Sequence, residues 1–531
     1  MTTKLYFKAA LLLLVGALSV LPRPVAAQSQ SAGGAIEGTV TDQSGGVLPG
    51  VTVTVRNTAT GVTRETTTDA TGLYRAPLLP VGPYEVTAVL AGFSTTKRPN
   101  LQLSIGATLT ADIQMKVSGA QEEVTVTAEV PVIEPARTHQ ATTVGAVAVA
   151  NLPVNGRNFI DFALTTPGVT RDTRGGDISF AGLRGVLNSL VIDGADNNNT
   201  FFGQTLGRTG SGRAPYQFSQ DAVAEFQVNR NAYSAEYGRA GGAVINVVTK
   251  SGTNDFHGSA FEFFRDKSLN ANTWANKIAN PIRARAPFRI HQFGGSLGGP
   301  IQKDKAFFFL SYDGQRRDLP NTLTPLTVTV PPAILGSSDP SVQAGLGIIN
   351  TAYHDYTLTR NQDVFLGKID YQFNPKHRLS VRYNHQNFTG GNNESTGATS
   401  AEEHTGNSLV HTRSLNGVLT SVFSSTFFNE LRAQWGKDEE PGEANTNNPE
   451  VTAREAGTTV LIFGRNFFSP RETTIKRFQV ADAVTWIRGA HSLKGGFDLN
   501  FDNIFNFFPG NFGGRYTFSS IASLGRGVPN G

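Results

Sequence analysis

The stretch from Asp221 to Asn254, DAVAEFQVNRNAYSAEYGRAGGAVINVVTKSGTN, decides how the rest of the chain is divided. A short amphipathic segment, Ala224 to Val228, leads into a polar turn that contains several glycines. The β-prone run Ala243 to Thr249 follows, and the sequence Ser-Gly-Thr-Asn ends it. The pattern predicts a hinge between two modules. Compact β-type and mixed units precede it, and a succession of strands with no second core follows it.

The composition favours β structure and excludes several kinds of chemistry. The chain has 531 residues, enough for several domains, and its 57 glycines with only 2 methionines favour strands and turns over helical bundles. It has no cysteine, which excludes a disulfide framework, a cysteine-liganded metal, a thiol nucleophile and a lipid anchor on cysteine. The formal net charge is only +4, which gives no reason to expect a nucleic-acid partner.

The N-terminus has the order of a secretory signal peptide. Basic Lys4 and Lys8 precede the apolar run Ala9 to Val20, and small residues follow up to Ala27. We predict that residues 1–27 are a signal peptide that is removed. A membrane anchor is the alternative, but the apolar run is shorter than the roughly 20 residues that a spanning helix needs. No later segment is apolar enough for such a helix, so an integral membrane form would have to be a β-barrel.

Residues 34–117 alternate short β-prone runs with turns rich in Gly, Pro, Asp and Asn, which is typical of a small antiparallel sandwich. The predicted strands are Ala35–Thr41, Val51–Arg56, Arg64–Thr68, Leu73–Leu79, Tyr84–Leu90 and Leu109–Met115. The runs GTVTDQSGGVLPGVTVTV and TTDATGLYRAPLLPVGPYEVTAVLAGF resemble the carboxypeptidase regulatory-like β-sandwich, a folding or binding appendage in that family. None of the 9 histidines forms a His-x-x-Glu or His-Glu-x-x-His pattern, so a zinc peptidase has no ligands here. A plain structural sandwich and a carbohydrate- or partner-binding sandwich both remain open.

Residues 118–137 form a predicted linker with a β-prone segment, Glu123 to Ala128, and prolines beyond it. Such an extended segment is either an ordinary linker strand or a peptide that adds to the sheet edge of a partner. It resembles the TonB box, which pairs with the TonB energy transducer in the periplasm. The resemblance gives that role to Glu123, Val124, Thr125, Val126, Thr127 and Ala128.

Residues 138–253 combine a predicted helix with predicted strands. The motif LPVNGRNF, which starts at Leu152, is predicted to open a helix that runs through Leu164, and Leu190 to Asp193 is a predicted short strand. A cluster of oxygen-bearing residues surrounds the end of that strand: Asp193, Asp196, Asn197 and Asn198. Oxygen ligands suit calcium, but the cluster lacks the terminal Glu and the spacing of an EF-hand, so a tight turn is the preferred interpretation.

Three segments in one order, LPVNGRNFIDFALTTPGV, GLRGVLNSLVIDGADNN and EFQVNRNAYSAEYGRAGGAVINVVTKSGTN, resemble the plug domain of TonB-dependent receptors. The resemblance is to the Oar-like branch, in which a regulatory-like sandwich precedes the plug. It implies that Ala243 to Thr249 is the last plug strand and that Lys250 to Asn254 crosses into the barrel wall. Tyr237 to Gly242 is then a turn that needs small residues, and not a phosphate cradle, because no Lys-Ser/Thr pair opens a helix after it.

Residues 254–531 show strands with clean alternation of apolar and polar residues. In one strand Phe365, Gly367, Ile369, Tyr371 and Phe373 share one face, and Leu366, Lys368, Asp370 and Gln372 share the other. The same pattern separates Leu379, Val381 and Tyr383 from Arg378, Ser380, Arg382 and Asn384, Leu431, Ala433 and Trp435 from Glu430, Arg432 and Gln434, and Phe497, Leu499 and Phe501 from Asp498, Asn500 and Asp502. This is typical of a membrane barrel with a wet lumen, although a soluble sandwich also alternates.

The connections between these strands favour the barrel. Long polar segments, Thr389 to Asn407 and Asp438 to Glu455, alternate with tight turns at Gln302 to Lys305 and Asn374 to His377, as outer loops alternate with short periplasmic turns. The run GGSLGGPIQKDKAFFFLSYDGQRR, which starts at Gly294, resembles the early barrel strands of the same receptor branch. Plugged transporters close with about 22 strands, whereas this region holds about ten at about 10 residues each. We therefore predict the N-terminal part of a barrel that this chain does not complete.

The predicted fold class is mainly β: an N-terminal β-sandwich, a mixed α/β plug domain and a partial antiparallel transmembrane β-barrel. The resemblance implies an outer-membrane TonB-dependent receptor that takes up or exports an unidentified ligand. Its expected partners are TonB, outer-membrane lipid and an extracellular ligand, for which carbohydrate and peptide are both open. No nucleophile elbow, phosphate loop or metal spacing occurs, so neither an enzyme nor a cofactor is predicted. The alternative is a secreted or surface carbohydrate- or partner-binding protein without transport.

Overall fold

The computed structural model describes residues 33–118, 123–125, 140–152, 154, 156–172, 178–203, 214–231, 233–272, 274–278, 282, 284–489, 491–511 and 513–530. The predicted signal peptide, most of the predicted linker and residues 126–128 of the predicted TonB box lie outside these ranges. Within them, no helix combines the length and the apolar character that crossing a bilayer requires.

The first module is a sandwich of two sheets. Its strands are β1 (Gly34–Thr41), β2 (Thr52–Asn57), β3 (Thr63–Thr67), β4 (Leu73–Leu79), β5 (Gly82–Val89), β6 (Thr95–Leu103), β7 (Thr108–Thr110), β8 (Ile113–Gln114) and β9 (Glu123–Thr125). One sheet has the order β3-β2-β5-β6-β9, and the other has the order β4-β1-β7 with β8 also on β1. Alternate apolar side chains, among them Val53, Val55 and Tyr84, are buried between the sheets.

Two sequence predictions for the sandwich need correction. Strand β6 was not predicted, because its sequence TTKRPNLQL is polar and contains proline. It forms because Thr96 and Leu101 are buried and Arg98 Nη1 donates to the Asp112 carbonyl oxygen at 2.6 Å. The sheets are also not purely antiparallel, since β7 and β8 pair with β1, and β9 with β6, in parallel. The predicted strand Leu109 to Met115 is divided between β7 and β8.

The second module, the plug, has one mixed sheet in the order β10-β15-β16-β13-β14 and a separate pair, β11-β12. Its strands are β10 (Gln140–Val144), β11 (Val169–Arg171), β12 (Ile178–Phe180), β13 (Ser189–Ile192), β14 (Ala195–Asp196), β15 (Val223–Asn231) and β16 (Val244–Thr249). Its helices are α1 (Ala146–Asn151) and the 3₁₀ turns Phe159–Thr165, Gly185–Leu187 and Gln220–Ala222.

The stretch Asp221 to Asn254 lies at the centre of the plug sheet. The segment Ala224 to Val228 belongs to β15, which pairs antiparallel with β16, so the prediction of a hinge between modules is wrong for this part. The two strands form the middle of the sheet because every residue of β16 is buried. The prediction of a strand at Ala243 to Thr249 is confirmed, and the next strand along the chain begins at His257.

The predicted helix through Leu164 is shorter than expected and is a 3₁₀ helix, Phe159–Thr165. The chain cannot continue a helix through Gly156, whose φ is +82°. The helix begins instead at Asn158, whose side chain accepts from the Ile160 amide at 3.3 Å. Its buried residues Phe159 and Phe162 pack on Phe226 of β15.

The turn after β13 is a tight hairpin of two residues. Asp193 and Gly194 have φ values of +48° and +75°, and Ile192 pairs with Ala195 across them. Positive φ at both central residues is the requirement of a type I′ turn, for which Asp-Gly is a preferred sequence. The prediction of a tight turn at this position is confirmed.

The third module is a large antiparallel sheet with a folded outer end. Its strands are β17 (His257–Asp266), β18 (Arg289–Gln302), β19 (Ala306–Asn321), β20 (Tyr356–Asn374), β21 (His377–Glu394), β22 (Gly406–Val422), β23 (Phe427–Glu439), β24 (Gly442–Ala444), β25 (Glu450–Glu455), β26 (Thr458–Phe463), β27 (Glu472–Arg488), β28 (His491–Phe507) and β29 (Arg515–Phe518). Its helices are α2 (Trp274–Ile278), α3 (Leu326–Thr329), α4 (Pro332–Leu335), α5 (Pro340–Ala352), α6 (Ile521–Gly525) and the 3₁₀ turns Lys267–Leu269 and Glu402–His404.

The ten-stranded sheet of this module, the wall, has the order β17-β18-β19-β20-β21-β22-β23-β27-β28, and the short β24 pairs with β22. The predicted tight turns at Gln302 to Lys305 and at Asn374 to His377 are confirmed. In the described residues the sheet is open, since β17 pairs only with β18 and β28 only with β27.

The two faces of the wall settle the choice between a membrane barrel and a soluble sandwich. On β20, Phe365, Ile369 and Phe373 face outward with 38%, 51% and 50% of their surface exposed, whereas Lys368 and Asp370 on the opposite face are 5% and 4% exposed. A soluble sandwich would bury the apolar face. A wall that turns apolar side chains outward and charged ones inward is that of a membrane barrel, so this prediction is confirmed.

The outer ends of the strands are more structured than predicted. The segment Thr389 to Asn407 includes the end of β21 and the start of β22, and Asp438 to Glu455 contains β24 and β25. A third sheet, β26-β25-β29, packs with helices α5 and α6 around a core of its own. The buried members of that core include Leu358, Ile349, Val460 and Ile521. These apolar residues come from separate parts of the chain: the connection between β19 and β20, strand β20 itself, the connection between β23 and β27, and the segment after β28. Each connection alone therefore has the composition of a polar loop.

The sandwich lies at the end of the wall that carries the short turns. Asn254 donates from its backbone to the Ala59 carbonyl oxygen at 2.9 Å and from its side chain to Asp304 in the first short turn at 2.7 Å. Arg75 donates to the Gly489 carbonyl oxygen, in the turn between β27 and β28, at 3.2 Å. The sandwich and the folded outer loops therefore lie at opposite ends of the wall.

Gly252, in the crossing from plug to wall, has no room for a side chain. A Cβ at this position would lie 2.3 Å from the Phe308 carbonyl oxygen and 2.6 Å from that of Gly299. Because backbone atoms cannot move away independently, we expect Gly252→Ala to destabilise the assembly of plug and wall by about 1–3 kcal/mol. Thermal unfolding in detergent measures this loss. Gly238→Ala is the matched control, since its Cβ meets no atom within 4 Å, and an equal loss in both variants would contradict the explanation.

Candidate functional site at the interface of plug and wall

The carboxylate of Asp193 joins the plug to the wall. Its Oδ2 lies 2.6 Å from Arg382 Nη1 on β21, and its Oδ1 lies 3.8 Å from Lys368 Nζ on β20. Within the plug, Thr249 donates to it from both its amide, at 2.9 Å, and its hydroxyl, at 2.7 Å. Burial alone would raise the pKa of Asp193, but Lys368, Arg382 and the two hydrogen bonds from Thr249 together outweigh burial and hold it below its ordinary value. The type I′ turn thus presents an ionised carboxylate to two cations of the wall.

Two further acidic residues of the plug make the same kind of contact with later strands. Asp196 lies 3.3 Å from Arg477 on β27 and 2.6 Å from Arg239 in the connection between β15 and β16. Glu236, in that same connection, lies 2.6 Å from Lys494 on β28. The acidic groups of the plug therefore face a row of basic groups on the lumen side of the wall.

A buried group of hydrogen bonds holds the plug against the early wall strands. Tyr216 and Ser219 donate to the two oxygens of Asp313 on β19, at 2.5 and 2.9 Å. Gln292 on β18 donates to the Tyr216 hydroxyl at 2.8 Å. Burial, together with the charge of Asp313, raises the pKa of Tyr216 well above its ordinary value, so its hydroxyl remains a donor.

The residues of the predicted oxygen cluster serve these contacts. Asp193 and Asp196 bind basic side chains, Asn198 accepts from the Leu190 amide at 2.9 Å, and Asn197 donates to Gln217. In the part of the chain that the structure describes, no group of three or more His, Asp or Glu is arranged to hold a metal ion. The cluster is an interface with the wall.

The partners of these acids could not be identified from local sequence. Arg382 is 189 positions from Asp193, and Arg477 is 281 positions from Asp196. The only available signal was that Arg382 lies on the polar face of an alternating strand, which predicts a lumen position but not a partner.

The predicted TonB box is described only in its first half. Glu123 to Thr125 forms β9, which pairs in parallel with the start of β6 at Thr95 to Lys97. The segment therefore adds a strand to the sheet edge of the sandwich.

Glu225 of β15 connects the plug to the sandwich. Its carboxylate accepts the backbone N–H of Ile105, and the neighbouring Gln227 donates to the Ile105 carbonyl oxygen at 3.1 Å. Burial raises the pKa of Glu225 to about 7, although the Ile105 amide and Ser104 act in the opposite direction. The contact thus contains a carboxyl group that titrates near neutral pH.

Two aromatic rings project from the plug towards the outer end. Phe201 and Phe202 are half-exposed, with ring centroids 4.9 Å apart at nearly a right angle. Asn199 fixes their backbone, since its Oδ1 accepts from both amides at 2.9 and 2.8 Å. The Asn199 amide group in turn lies 3.4 Å from Glu440, just beyond the outer end of β23.

The comparison with known proteins agrees with this architecture. Residues 248–357 and 337–529 match the family described as outer membrane beta barrel domain, and residues 35–116 match the carboxypeptidase regulatory-like domain. The barrel match extends over more than half of the 531 residues. The chain therefore belongs to the outer membrane β-barrel family, and it is an outer-membrane protein.

The sequence is similar to the TonB-dependent transporter Oar of Myxococcus xanthus, with 28% identity over 357 residues that cover 63% of this chain and 32% of that protein. The resemblance to the Oar-like branch is thereby confirmed. Among solved structures, the outer membrane transporter YddB of Escherichia coli is similar with a TM-score of 0.48 and 14% identity, covering 68% of this chain and 48% of that one. The siderophore receptor PirA of Acinetobacter baumannii has a TM-score of 0.44 and 16% identity, covering 68% and 47%. The chain spans about a third of the length of the curated relative and about half of these structures.

Within the described residues, replacing Asp193 with Asn leaves Arg382 buried without the acid bound to it and removes one of the acids that act on Lys368. We expect Asp193→Asn to destabilise the plug by about 3–5 kcal/mol at neutral pH, measured by chemical unfolding. Because the folded-state pKa of Asp193 is below its ordinary 3.8, its contribution is complete above that pH and is lost as the pH falls through the folded value. The pair Asp161–Arg171, in which the Arg171 side chain is half-exposed, provides the control Asp161→Asn, for which about 1 kcal/mol or less is expected. Equal effects of the two substitutions would contradict the role of Asp193.

Replacing Glu225 with Gln tests the contact between sandwich and plug. The folded-state pKa of about 7 is above the ordinary 4.5, so the contribution of Glu225 is complete below pH 4.5 and is lost as the pH rises through 7. We expect wild-type docking to be weaker at pH 8 than at pH 5 by an amount of the order of 3 kcal/mol at most. Glu225→Gln, which keeps the acceptor oxygen, should remove this difference. Hydrogen-exchange protection of the Ile105 amide, corrected for intrinsic rates, measures it, and an unchanged pH dependence in the variant would refute the assignment.

Proposed function

We propose that this protein is a TonB-dependent outer-membrane transporter in which the plug blocks the lumen and is rearranged by force applied through the N-terminal linker. The observation that carries the proposal is the plug itself, which is held by ion pairs such as Asp193–Arg382 inside a wall whose apolar face is turned outward. Such a device couples mechanically and needs no catalytic group, so the protein is not an enzyme. The similarity to the transporter Oar supports the same function.

The contacts between plug and wall are of a kind that can be broken and re-formed when the plug moves. The wall contributes mainly charged and amide side chains to the interface, and water can replace such partners when the plug shifts. Water could not replace the contacts of an apolar interface of the same size, so exposing that interface would cost free energy. The apolar cores of the sandwich, the plug and the outer loops are largely separate, so the plug can shift without opening the other two.

We propose that Glu123 to Ala128 is the TonB box. The support is its position between sandwich and plug and the strand that its first half forms on the edge of β6. A segment that adds to one sheet edge through its backbone can add to another, which is the mode by which extended peptides bind a partner sheet.

We also propose that Phe201 and Phe202 contact the ligand from the outer side. Aromatic rings provide a contact surface for a sugar ring or for an apolar peptide side chain. The folded outer loops have a packed core of their own, and the Asn199–Glu440 contact places the two rings near the outer end of the wall, so a ligand that enters from outside would meet both. Import and export both remain compatible with this arrangement.

The function is tested with a reporter cysteine in the plug, which is possible because the chain has no native cysteine. Ala222 is fully buried, so Ala222→Cys should react with a maleimide only when the plug moves. We expect labelling in energised cells and its loss on addition of a protonophore. Labelling that is insensitive to the protonophore would favour the alternative, a surface binding protein without transport.

The box is tested in the same Ala222→Cys background with the periplasmic C-terminal domain of the host's TonB as probe. Proline cannot donate a backbone hydrogen bond, so Val124→Pro with Val126→Pro should abolish both TonB capture and energised labelling. Val124→Ala with Val126→Ala keeps the backbone donors and should retain most of both. If the proline variant still captures TonB, this segment is not the box.

A further inference from the structure

A cavity of about 310 Å³ lies where the sandwich, the plug and the wall meet, at the end of the wall with the short turns. The sandwich contributes Arg64 of β3 and Tyr84 of β5, the plug contributes Lys250, which follows β16, and the wall contributes Arg378 of β21. The rest of the sandwich side is mostly apolar and includes Val55, Val62, Leu78, Leu79, Pro80 and Val81. The cavity is at the opposite end of the plug from the aromatic pair at Phe201.

Arg64 has no counter-ion in the described part of the chain. Its Nε and Nη1 atoms are shielded from solvent and make no hydrogen bond there. The other guanidinium group of the cavity, that of Arg378, is neutralised by Asp370, whose Oδ1 lies 2.6 Å from its Nη2. A shielded guanidinium group without a partner is strongly unfavourable, and proteins usually provide a carboxylate or a phosphate for it.

Lys250 is a second cation of the cavity, and the acid near it is bound to another residue. Asp221, the acid that acts electrostatically on Lys250, is bound to Arg157 at 2.7 Å. Burial lowers the pKa of Lys250, and it also lowers that of Arg64, to about 10, with the charge of Arg378 acting in the same direction. Arg64 nevertheless stays protonated at neutral pH.

Four acidic residues also line the cavity, and each has another partner: Asp193 binds Arg382, Asp370 binds Arg378, Glu430 lies 3.6 Å from Arg432, and Glu225 accepts the Ile105 amide. Within the described residues, Arg64 is therefore a cation of the cavity to which no acid is bound.

We propose that this cavity binds a small organic anion, with its carboxylate or phosphate group against Arg64 and a short apolar body against the sandwich. The guanidinium fork of Arg64 can donate to two oxygens of one such group. A volume of about 310 Å³ is at the lower end of the range for small-molecule sites, so the ligand is a single small anion. Because the lining comes from three modules, the anion also links the sandwich to the plug and the wall. The proposal does not depend on transport.

The first test is calorimetric titration of the purified chain, in a neutral detergent, with phenyl phosphate and with benzoate. Benzyl alcohol, which has a similar apolar body and no charge, is the matched ligand control. We expect saturable binding of at least one of the two anions and none of benzyl alcohol, and the stronger anion identifies the preferred head group. Absence of saturable binding of both anions would overturn the proposal without any variant being needed.

The second test determines whether the anion binds at Arg64. Arg64→Gln should weaken binding at least about tenfold, because it removes charged hydrogen bonds. Arg56→Gln is the matched control, since Arg56 is an exposed residue on the neighbouring strand β2, and it should bind as the wild type does. If Arg64→Gln is not recovered in folded form, as judged by circular dichroism, Arg64→Lys, which keeps the charge but not the guanidinium fork, serves the same purpose. Wild-type affinity in a folded variant at this position would refute this site.

Discussion

The wall must turn its apolar side chains outward, and this constraint determines how everything inside it is held. On β20 the outward positions are used by residues such as Ile369, so that only positions such as Lys368 and Asp370 remain to contact the plug. The plug therefore cannot be held mainly by apolar packing against the wall. It presents acidic groups, above all Asp193, to the basic groups of the lumen face. Only a few apolar wall residues, among them Leu366, join the plug core.

Apolar cores therefore stabilise each module, whereas polar contacts attach the modules to one another. The sandwich, the plug and the outer loops each have a core of their own, and the plug is joined to the sandwich and the wall mainly by hydrogen bonds and ion pairs. A core contact is lost in one cooperative step, whereas polar contacts can exchange with water one after another. A plug attached in this way can change position without unfolding. The ion pair of Asp193 with Arg382 is shielded from solvent, so it also defines one preferred position to which the plug returns.

The sequence allowed the modules to be predicted, because they depend on local pattern. Period-two alternation revealed the wall strands, and the cluster from Asp193 to Asn198 was interpreted as a tight turn because it lacks the spacing of an EF-hand. The structure forms that turn at Asp193 and Gly194, both of which have positive φ. Strand β6 was missed because tertiary contacts outweigh the polar composition of its residues. The segment Ala224 to Val228 was assigned to a hinge because its central place in the plug sheet depends on a pairing with β16. Asp193 and Asp196 were interpreted only as part of a turn. Neither their contact with the wall nor their basic partners could be predicted, since a charge on a lumen face can have any partner across the lumen.

The position of the sandwich follows from chain order. The last plug strand ends at Thr249 and the wall begins at His257, so the plug must leave the lumen at the same end at which the wall starts. That end carries the short turns, and the sandwich precedes the plug by a short linker, so it docks there too. All three modules consequently meet at the crossing, where Gly252 leaves no room for a side chain. A force applied to the linker would reach the plug at its first strand, β10, which pairs with β15. Because β15 carries Glu225, the contact between plug and sandwich lies one strand away from the point at which such a force enters.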